Sequence, residues 1–377
     1  MKRYDAIVLG VGGVGSAALY HLARRGRRVL GIDRFPPGHD RGSSHGQTRI
    51  IRQAYFEHAG YVPLVLRAWQ LWDELGERRG ERLYEQVGLI QIGPPEGEVV
   101  SGVLESARMH GLEVERLTAT DVMRRWPGFR TSEEMAGAYE RRAGYLKVEA
   151  CVLAHTAEAV AAGAELHCDQ SVLSWQADGG GVVVVTDRET LSADKLVISA
   201  GPWAAGLLGD FAVRLEVLRK PVFWLQTQDD SYRAERGCPC FLYELPSGVF
   251  YGIPQIDDHG VKVAEHSGGQ PVGDPLHVDR ALDEDDRQRA TGFVTGYLPR
   301  ATTEVRQHSV CMYTVTPDRD FIVDRHPSFP QVTVIAGLSG HGFKFAPVLG
   351  EIAADLVIDG DTPHPIDFLS MDRFHKR

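Results

Sequence analysis

The chain has 377 residues, of which 43% are hydrophobic and 24% charged. These proportions are close to globular averages and exclude a disordered or collagen-like chain, and the length favours two domains. The formal net charge of -10 at pH 7 argues against nucleic acid or a membrane surface and favours a small-molecule partner.

The N-terminal residues and the cysteines favour a cytoplasmic protein. Residues 1–3 resemble the start of a signal peptide, but Asp5 follows at once and the apolar run at 6–9 is too short for a signal peptide or a membrane span. The five cysteines are an odd number without a repeated spacing. They indicate neither a disulfide framework nor a zinc site, and they fit a reducing compartment.

The first predicted elements form a complete βαβ unit. Residues 4–10 are a short apolar run without periodicity, which is typical of a strand buried on both faces of a parallel sheet. A helix is predicted to follow as far as Leu22, with Gly26 placed to stop it. Residues 29–33 predict the next strand.

Helices and strands are also predicted in the middle of the chain. Apolar side chains at helical spacing predict a helix over residues 61–75, closed by Gly76, and a second amphipathic helix over 148–162. The predicted strands that follow are residues 164–168, 172–176, 182–187 and 195–201. We expect the last of them to return to the first sheet.

The pattern changes after residue 216. Apolar and polar runs alternate as far as residue 308, broken by Gly and Pro, and they indicate a separate antiparallel sheet. The predicted strands here are residues 217–226, 249–253 and 261–264. A strand at 332–336, a glycine-rich turn at 337–342 and a helix at 343–358 complete the chain.

The turn after the first strand carries a dinucleotide-binding motif. Gly10, Gly12 and Gly15 match G-x-G-x-x-G, where glycines allow a tight turn, the approach of a pyrophosphate to backbone N–H groups, and close packing of the helix. Asp33, at the end of the second strand, is placed to accept hydrogen bonds from ribose hydroxyls. Arg34 leaves a phosphorylated ribose open as an alternative.

The motif alone does not separate NAD from FAD. Pieces of the Rossmann pattern recur in the middle and at the C-terminal end of the chain, which favours FAD, because NAD dehydrogenases usually keep that fold contiguous. We predict an α/β chain, α+β overall, with a discontinuous Rossmann-type FAD-binding domain on a parallel sheet and a substrate-binding domain on a mainly antiparallel sheet. The predicted ranges are 1–85, 145–215 and 310–377 for the first domain, and 86–144 and 216–309 for the second.

Three further stretches carry a resemblance to a known family. They are GSSHGQTRIIR at 42–52, CMYTVTPD at 311–318 and GLSGHGFKF at 337–345. In order and spacing, over nearly the whole chain, they resemble the monomeric sarcosine oxidase and N-methyltryptophan oxidase family. The resemblance implies an FAD-dependent amine oxidase of the D-amino-acid-oxidase superfamily. Such an enzyme oxidises N-methyl amino acids with O₂ to formaldehyde, the demethylated amino acid and H₂O₂.

The resemblance also implies roles for individual residues. Cys311 corresponds to the cysteine that the family joins to the flavin by a thioether, and Arg52 and Lys344 to the pair that holds the substrate carboxylate. Lys262 corresponds to the lysine that activates oxygen beside flavin N5, where a buried cation stabilises developing negative charge. Arg49 corresponds to an arginine that packs on the flavin ring.

The remaining implied site residues surround these. His45 is expected near the flavin and His266 as an auxiliary active-site histidine, while Tyr251 and Tyr313 are expected to line the substrate cavity. Ser44 and Gln47 depart from the histidine and the acid that the family pattern has there, which leaves the local hydrogen bonding open. The expected FAD contacts, besides the motif glycines, Asp33 and Cys311, are Gly13, Ser43, Thr48, Gly340, Gly342 and Lys344.

Two alternatives remain open at this point. A cyclic imino acid such as proline or pipecolate could replace the N-methyl amino acid as substrate. A chain of the same fold could also be a non-catalytic binding module, similar to GDP-dissociation inhibitors. No metal site is expected, because Cys238 and Cys240 in a predicted loop lack a second pair, and His39 and His45 lack a third ligand. We predict a monomer.

Overall fold

The computed structural model describes residues 2–209 and 213–374. The predicted domain ranges also include residues 1, 210–212 and 375–377, which lie outside the described residues. In chain order the strands are β1 (Arg3–Leu9), β2 (Val29–Ile32), β3 (Thr48–Ile51), β4 (Tyr84–Glu85), β5 (Leu89–Gly93), β6 (Glu115–Thr118), β7 (Ala136–Glu140), β8 (Gly144–Lys147), β9 (Glu165–His167), β10 (Val172–Asp178), β11 (Gly181–Thr186), β12 (Thr190–Ile198), β13 (Glu216–Thr227), β14 (Cys240–Leu245), β15 (Gly248–Ile253), β16 (Val261–Glu265), β17 (Gln270–Pro271), β18 (Ala301–Val315), β19 (Ile322–His326) and β20 (Phe329–Ala336). The α-helices are α1 (Gly13–Arg24), α2 (Tyr61–Arg79), α3 (Glu98–His110), α4 (Ala119–Arg125), α5 (Val148–Ala161), α6 (Ala204–Leu208), α7 (Glu284–Tyr297) and α8 (Ala346–Ile358).

The first sheet has a parallel core around β1. β1 pairs in parallel with β2 on one side and β12 on the other, and β9 and β20 extend the core beyond them. Ala6 and Val8 pack into a core cluster with α1 and α8, while Ile7 and Leu9 pack into a second cluster on the opposite face. The apolar run at the start of the chain is therefore a strand buried on both faces, as predicted.

The second sheet is mainly antiparallel. Its order is β17-β13-β16-β15-β14-β5-β7-β6, and β18 pairs along the other edge of β13. Side chains alternate between its two faces. Phe223 packs against Phe293 of α7 on one face, whereas Val222 and Trp224 belong to a cluster on the other face, next to Tyr251. The predicted mixed α/β fold with a separate antiparallel sheet is confirmed.

A small third sheet contains the strand that follows the loop of residues 42–47. β3 pairs with β8, and β8 pairs with β4. β3 follows directly on the loop of residues 42–47, so that Thr48 and Arg49 stand at the start of a strand and their backbone is fixed by pairing with Lys147 and Leu146. None of the helices in residues 2–209 and 213–374 is both long and apolar enough to cross a bilayer.

Some predicted boundaries were wrong. Gly76 does not end the second helix, which continues to Arg79 and ends at Gly80 in the left-handed conformation, with φ of 61°. The strand predicted over 195–201 ends at Ile198, and Cys240 begins β14 rather than lying in a loop. Gly76 lies inside the helix. A Cβ there would lie 2.9 Å from the Glu81 carbonyl oxygen of the returning chain, which explains the glycine at this position.

β18 was not predicted as one strand, and its course bears on the domain division. It pairs with β13 from Ala301 to Val315 and so runs across the predicted boundary at residue 310. We retain the predicted domain ranges as a proposal. The boundary at residue 310 then divides β18, and Cys311 lies on the part of this strand that follows the boundary.

Candidate active site

A cavity of about 340 Å³ lies at the carboxyl ends of β1, β2, β12 and β20. This is where open α/β sheets bind their ligands. Seven predicted cofactor residues line it: Gly10, Gly12, Gly13, Asp33, Ser43, Gly340 and Gly342. The other four, Gly15, Thr48, Cys311 and Lys344, do not line it, and Lys344 lines a smaller cavity beside it.

The motif glycines make the tight turn possible. Gly10 has φ of +84°, and a Cβ there would lie 2.7 Å from Ala200 Cα. A Cβ on Gly15 would lie 1.7 Å from the Gly10 carbonyl oxygen, which explains how Gly15 serves the site without touching the cavity. Gly12 stands at the N-terminus of α1 and has no side chain to cap it, and the Gly13 N–H donates to Ser44 Oγ, so an anion would bind the backbone N–H groups that follow.

Asp33 fixes the edge of this cavity. Its carboxylate accepts hydrogen bonds from the backbone N–H groups of Val11, at 2.6 Å, and Phe35, at 2.9 Å. Each carboxylate oxygen can accept more than one bond, so the side chain retains capacity for a ribose hydroxyl. The glycine turn, the open helix terminus and this carboxylate fit a dinucleotide cofactor.

Arg49 connects the loop of residues 42–47 with Cys311. Its Nη2 lies 3.1 Å from Cys311 Sγ and 3.0 Å from the Ser43 carbonyl oxygen, and its Nη1 donates to the Thr48 carbonyl. Cys311 is buried, and the residues that follow it, Met312 and Tyr313, line the cavity. A guanidinium beside the sulfur is the kind of cationic neighbour found at reactive cysteines.

Lys262 is held under the same loop. Its Nζ donates to the carbonyl oxygens of Gly46, at 2.6 Å, and Thr48, at 3.0 Å, and to Thr48 Oγ1, at 3.2 Å. It also lies 5.1 Å from the centre of the Trp224 ring. Burial, followed by the nearby Arg49 charge, lowers the pKa of Lys262 well below its ordinary value.

His45 is buried beside these groups. Its Nδ1 lies 3.4 Å from Ser309 Oγ, while Nε2 has no hydrogen-bond partner among the described residues. Burial, and then the charge of Arg49, lowers the pKa of His45 to about 3. An orphaned buried nitrogen at this position fits a bound group that completes its hydrogen bonding.

A second cavity of about 60 Å³ adjoins the first. Both cavities are lined by Arg49, Tyr313, Gly340 and Phe343. The smaller one brings together all four predicted substrate residues with His266. Its other lining residues are Ile50, Phe56, Glu57, Leu89, Leu242 and His341.

Lys344 supplies one of the two cations of the smaller cavity. Its Nζ donates to the His341 carbonyl oxygen at 2.8 Å and to Tyr55 Oη at 3.2 Å. Burial, reinforced by the Arg52 charge, lowers the pKa of Lys344 to about 7. The ammonium therefore sits close to its titration point near neutral pH.

Arg52 supplies the second cation, and it is already paired. Its Nη2 donates to both carboxylate oxygens of Glu57 at 2.6 Å, and its Nη1 donates to the Ala54 carbonyl. Burial alone would raise the pKa of Glu57, but Arg52, and then His341 and Lys344, hold it at about 2. Arg52 and Lys344 thus form a buried pair of cationic side chains whose arginine is occupied by an internal carboxylate.

The predicted aromatic residues close the other side. His266 Nδ1 lies 3.4 Å from Tyr313 Oη, and the Tyr251 ring lies 6.4 Å from the His266 ring. Burial lowers the pKa of His266 to about 3, so the ring is neutral at pH 7. Burial raises the pKa of both tyrosines, which keeps their hydroxyls protonated.

The two departures from the family pattern have partners. The Ser44 hydroxyl accepts from the Gly13 N–H at 3.1 Å, across the motif turn. Gln47 donates to Asp257 Oδ2 at 3.0 Å and accepts from the Trp224 indole N–H at 2.9 Å. Both side chains are therefore hydrogen-bonded in the structure.

Several residues of this region were missed by sequence reasoning. Glu57 and Phe56 stand in a loop, and no spacing rule connects them with Arg52. Lys220 is buried and donates to three successive carbonyls, those of His266, Ser267 and Gly268, which fixes the turn behind the substrate cavity. The sequence alone does not indicate this role. The pairing of β13 with β18, which places Lys220 opposite Cys311, shows that Lys220 belongs to this region.

Comparisons with known proteins agree with this geometry. A family described as FAD dependent oxidoreductase matches residues 5–356. Monomeric sarcosine oxidase of Streptomyces avermitilis is 41% identical over 369 residues, with 96% of each chain covered. N-methyl-L-tryptophan oxidase of Salmonella agona is 39% identical over 363 residues, again with 96% of each covered.

Solved structures of similar fold include amino-acid oxidases. NikD, an unusual amino acid oxidase essential for nikkomycin biosynthesis, has a TM-score of 0.85 at 26% identity, with 98% of each chain covered. Glycine oxidase of Geobacillus kaustophilus has a TM-score of 0.80 at 23% identity, with 99% of each chain covered, and shows the fold alone. The resemblance of the three sequence stretches is confirmed, and the chain belongs to the FAD-dependent oxidoreductase family that includes monomeric sarcosine oxidase and N-methyl-L-tryptophan oxidase.

Proposed function

We propose that this protein oxidises N-methyl amino acids with O₂ and releases formaldehyde, the demethylated amino acid and H₂O₂. The observation that carries the proposal is the buried pair Arg52 and Lys344, which borders the dinucleotide cavity. FAD, when bound, supplies the acceptor for the electrons of the substrate and transfers them to O₂. The family membership supports FAD as the cofactor.

Arg52 and Lys344 would bind the substrate carboxylate. Glu57 forms two hydrogen bonds of 2.6 Å with Arg52, so an incoming carboxylate replaces an internal one on the same guanidinium. The exchange keeps Arg52 paired, whereas Glu57, whose side chain is 17% exposed, loses its guanidinium partner, which is costly for a largely buried charge. Two fixed cations also orient the substrate, because a carboxylate held at both oxygens cannot rotate freely.

Among the described residues that line this cavity, His266 is not a strong base. His266 has a pKa lowered to about 3 by burial, and its Nδ1 faces Tyr313 Oη. We assign His266 and Tyr251 to hydrogen bonding and shape rather than to proton removal. A substrate amine that binds in its neutral form needs no base.

Cys311 is proposed as the site of a covalent bond to FAD. Its sulfur lies beside the Arg49 guanidinium, and the next two residues line the dinucleotide cavity. Acid precipitation of the purified protein tests the bond, because a covalent flavin stays in the pellet. The Cys311→Ala variant should release the yellow colour into the supernatant, and a wild-type pellet without colour would contradict the attachment.

Peroxide formation with a panel of amines tests the activity. Sarcosine, N-methyl-L-tryptophan, proline and pipecolate cover the N-methyl and cyclic classes, and formaldehyde is expected only from the first two. Turnover of the cyclic pair alone would replace the proposed substrate class. A purified protein that stays colourless after incubation with FAD would exclude the oxidase.

The cellular setting is also a proposal. We infer a cytoplasmic monomer, supported by five cysteines without a disulfide and by the small-molecule cavity. Sedimentation of the purified protein tests the monomer, and a stable dimer would contradict it.

A further inference from the structure

Gln91 is a buried amide without hydrogen bonds. It lies in the middle of β5 with 0% of its surface exposed, and neither its Nε2 nor its Oε1 has a partner among the described residues. Other buried glutamines differ: Gln170 donates to Thr186 Oγ1, and Gln255 bonds with Thr227 Oγ1 and the Asp257 carbonyl. Gln91 therefore differs from these two buried glutamines in having no hydrogen-bond partner for its amide among the described residues.

Such a side chain is costly to bury. An unsatisfied polar group in the interior destabilises a fold, and native proteins satisfy nearly all of them. The neighbours of Gln91 along the strand, Ile90 and Ile92, are apolar, so an apolar residue would suit the position. The free-energy cost of burying this amide is understandable if the amide forms its hydrogen bonds with a bound ligand.

The register of the sheet places Gln91 next to the wall of the substrate cavity, although Gln91 itself does not line it. Paired residues of neighbouring strands share a face, and Gln91 pairs with Leu242 of β14, which pairs with Tyr251 of β15. Leu242 and Tyr251 both line the cavity. Leu89, two residues before Gln91 and hence on the same face, lines it as well. Gln91 is therefore next to two side chains that line the cavity, Leu89 on its own strand and Leu242 on the neighbouring strand.

Phe56 packs against the neighbours of Gln91 in the sheet. Its ring packs against the cluster that contains Leu242 and against the cluster that contains Ala138, and these two residues flank Gln91 in the sheet. The same ring lies 4.6 Å below the Arg52 guanidinium. Phe56 therefore connects the sheet neighbours of Gln91 with Arg52.

We propose that Gln91 is a specificity-determining residue that hydrogen-bonds the substrate side chain. Its rotatable bonds let the amide turn between Leu89 and Leu242 into the cavity. The lining side chains nearest to it, Leu89, Leu242 and Phe56, are apolar, so the preferred substrate is an N-methyl amino acid whose side chain combines apolar atoms with one neutral N–H or O–H group. This inference rests on the proposed oxidase activity.

A matched pair of substrates tests the inference. N-methyl-L-tyrosine and N-methyl-L-phenylalanine differ by one hydroxyl, and kcat/KM of the wild type should favour the tyrosine derivative about tenfold. In Gln91→Met, which keeps the length of the side chain, the ratio should fall to about one. An unchanged ratio in the variant, or a wild type that turns over sarcosine better than either compound, overturns the inference.

Thermal unfolding of the substrate-free holoenzyme gives a second readout. Because the amide has no partner to lose, Gln91→Met should raise the Tm by about 2 °C. The matched control is Gln255→Met, which breaks two hydrogen bonds and should lower the Tm without changing the ratio for the two substrates. A lower Tm for Gln91→Met would show a structural role and overturn the inference.

The two proposals fail in different ways. If no N-methyl amino acid yields peroxide, the proposed function fails and the inference with it. If peroxide forms but Gln91→Met leaves the substrate ratio unchanged, the inference alone fails. A Gln91→Asn variant with a partly retained ratio would further support a hydrogen bond, because it keeps the amide and shortens its reach.

Discussion

At the scale of single residues, the site is defined by cations whose neighbours fix their charge and position. Lys262 donates to three oxygens of Gly46 and Thr48, whereas Lys344 has two acceptors, Tyr55 Oη and the His341 carbonyl oxygen. Lys262 is thus held against the loop that precedes β3. Lys344 retains a donor position for a ligand.

The titration of Lys344 predicts how carboxylate binding depends on pH. Its pKa is lowered to about 7, so the side chain is cationic below and neutral above that pH. A carboxylate stabilises the cationic form, and the affinity for acetate should fall as pH rises through about 7, by up to about tenfold per unit. Titrations followed by flavin absorbance measure this effect.

The Lys344→Met variant is the control for that titration. It should bind acetate more weakly and without the dependence around pH 7, because Arg52 keeps its charge throughout. The same dependence in the variant would assign the titration to another group, such as Lys220, whose pKa burial lowers to about 8.

Lys262 predicts a separation of the two half-reactions. Lys262→Met removes a buried ammonium, and anaerobic stopped-flow experiments should show reoxidation by O₂ slowed by about a hundredfold, with substrate reduction much less affected. Lys262→Arg keeps a cation and should recover part of the rate. Equal slowing of both half-reactions in the methionine variant would remove the role assigned to this residue.

At the scale of elements, the turn of residues 337–342 connects the two cavities. Ser339 N–H donates to the Thr314 carbonyl of β18 at 2.9 Å, and the Trp72 indole of α2 donates to the Lys344 carbonyl at 3.0 Å. Gly340 has φ of +85°, and a Cβ there would lie 2.2 Å from the Tyr313 ring. The turn is held from both sides and has no room for a side chain.

Gly340→Ala should therefore destabilise the protein. The left-handed backbone and the contact with Tyr313 together predict a loss of about 2 kcal/mol or more, measured as a decrease in Tm. Gly292→Ala in α7 is the control, because no atom lies within 4 Å of its Cβ and alanine favours a helix. A stable Gly340→Ala protein would mean that Tyr313 moves aside without cost.

At the scale of the whole molecule, the dinucleotide cavity is assembled from distant parts of the chain. Its lining comes from β1 and the motif, from the loop before β3, from the segment after β12, and from β18 and β20. A ligand that contacts all of them stabilises the entire fold rather than one lobe.

This arrangement predicts thermal stabilisation by FAD. In the Cys311→Ala variant, where FAD binds without a covalent bond, a FAD concentration of about 100 times the Kd should stabilise the protein by about 2.7 kcal/mol and raise one cooperative transition. Calorimetry checks this expectation. Two transitions, of which FAD moves only one, would contradict it.

The sequence predicts the parts of the fold that rest on local signals. The βαβ unit follows from Gly10, Gly15 and Asp33, because each has a fixed place relative to its strand and helix. β18 was missed because Glu304, Arg306 and Gln307 interrupt the apolar alternation, and only pairing with β13 makes them a strand.

The site shows the same division. Cys311, Arg52 and Lys344 could be predicted from motifs, whereas the pairing of Arg52 with Glu57 and the unpartnered amide of Gln91 arise from tertiary contacts. Gln91 in the sequence is one polar residue in an apolar strand, and no rule of spacing connects it with Leu242, which stands 151 positions further along the chain.

Because the two cavities share part of their lining, only some positions can be changed to alter the selectivity for the amine substrate. Arg49, Tyr313, Gly340 and Phe343 belong to both cavities, and replacing any of them disturbs cofactor and amine together. Leu89, Leu242 and Phe56 border only the smaller cavity. A mutant library restricted to those three positions should change which amines are oxidised without disturbing the residues that line the cofactor cavity.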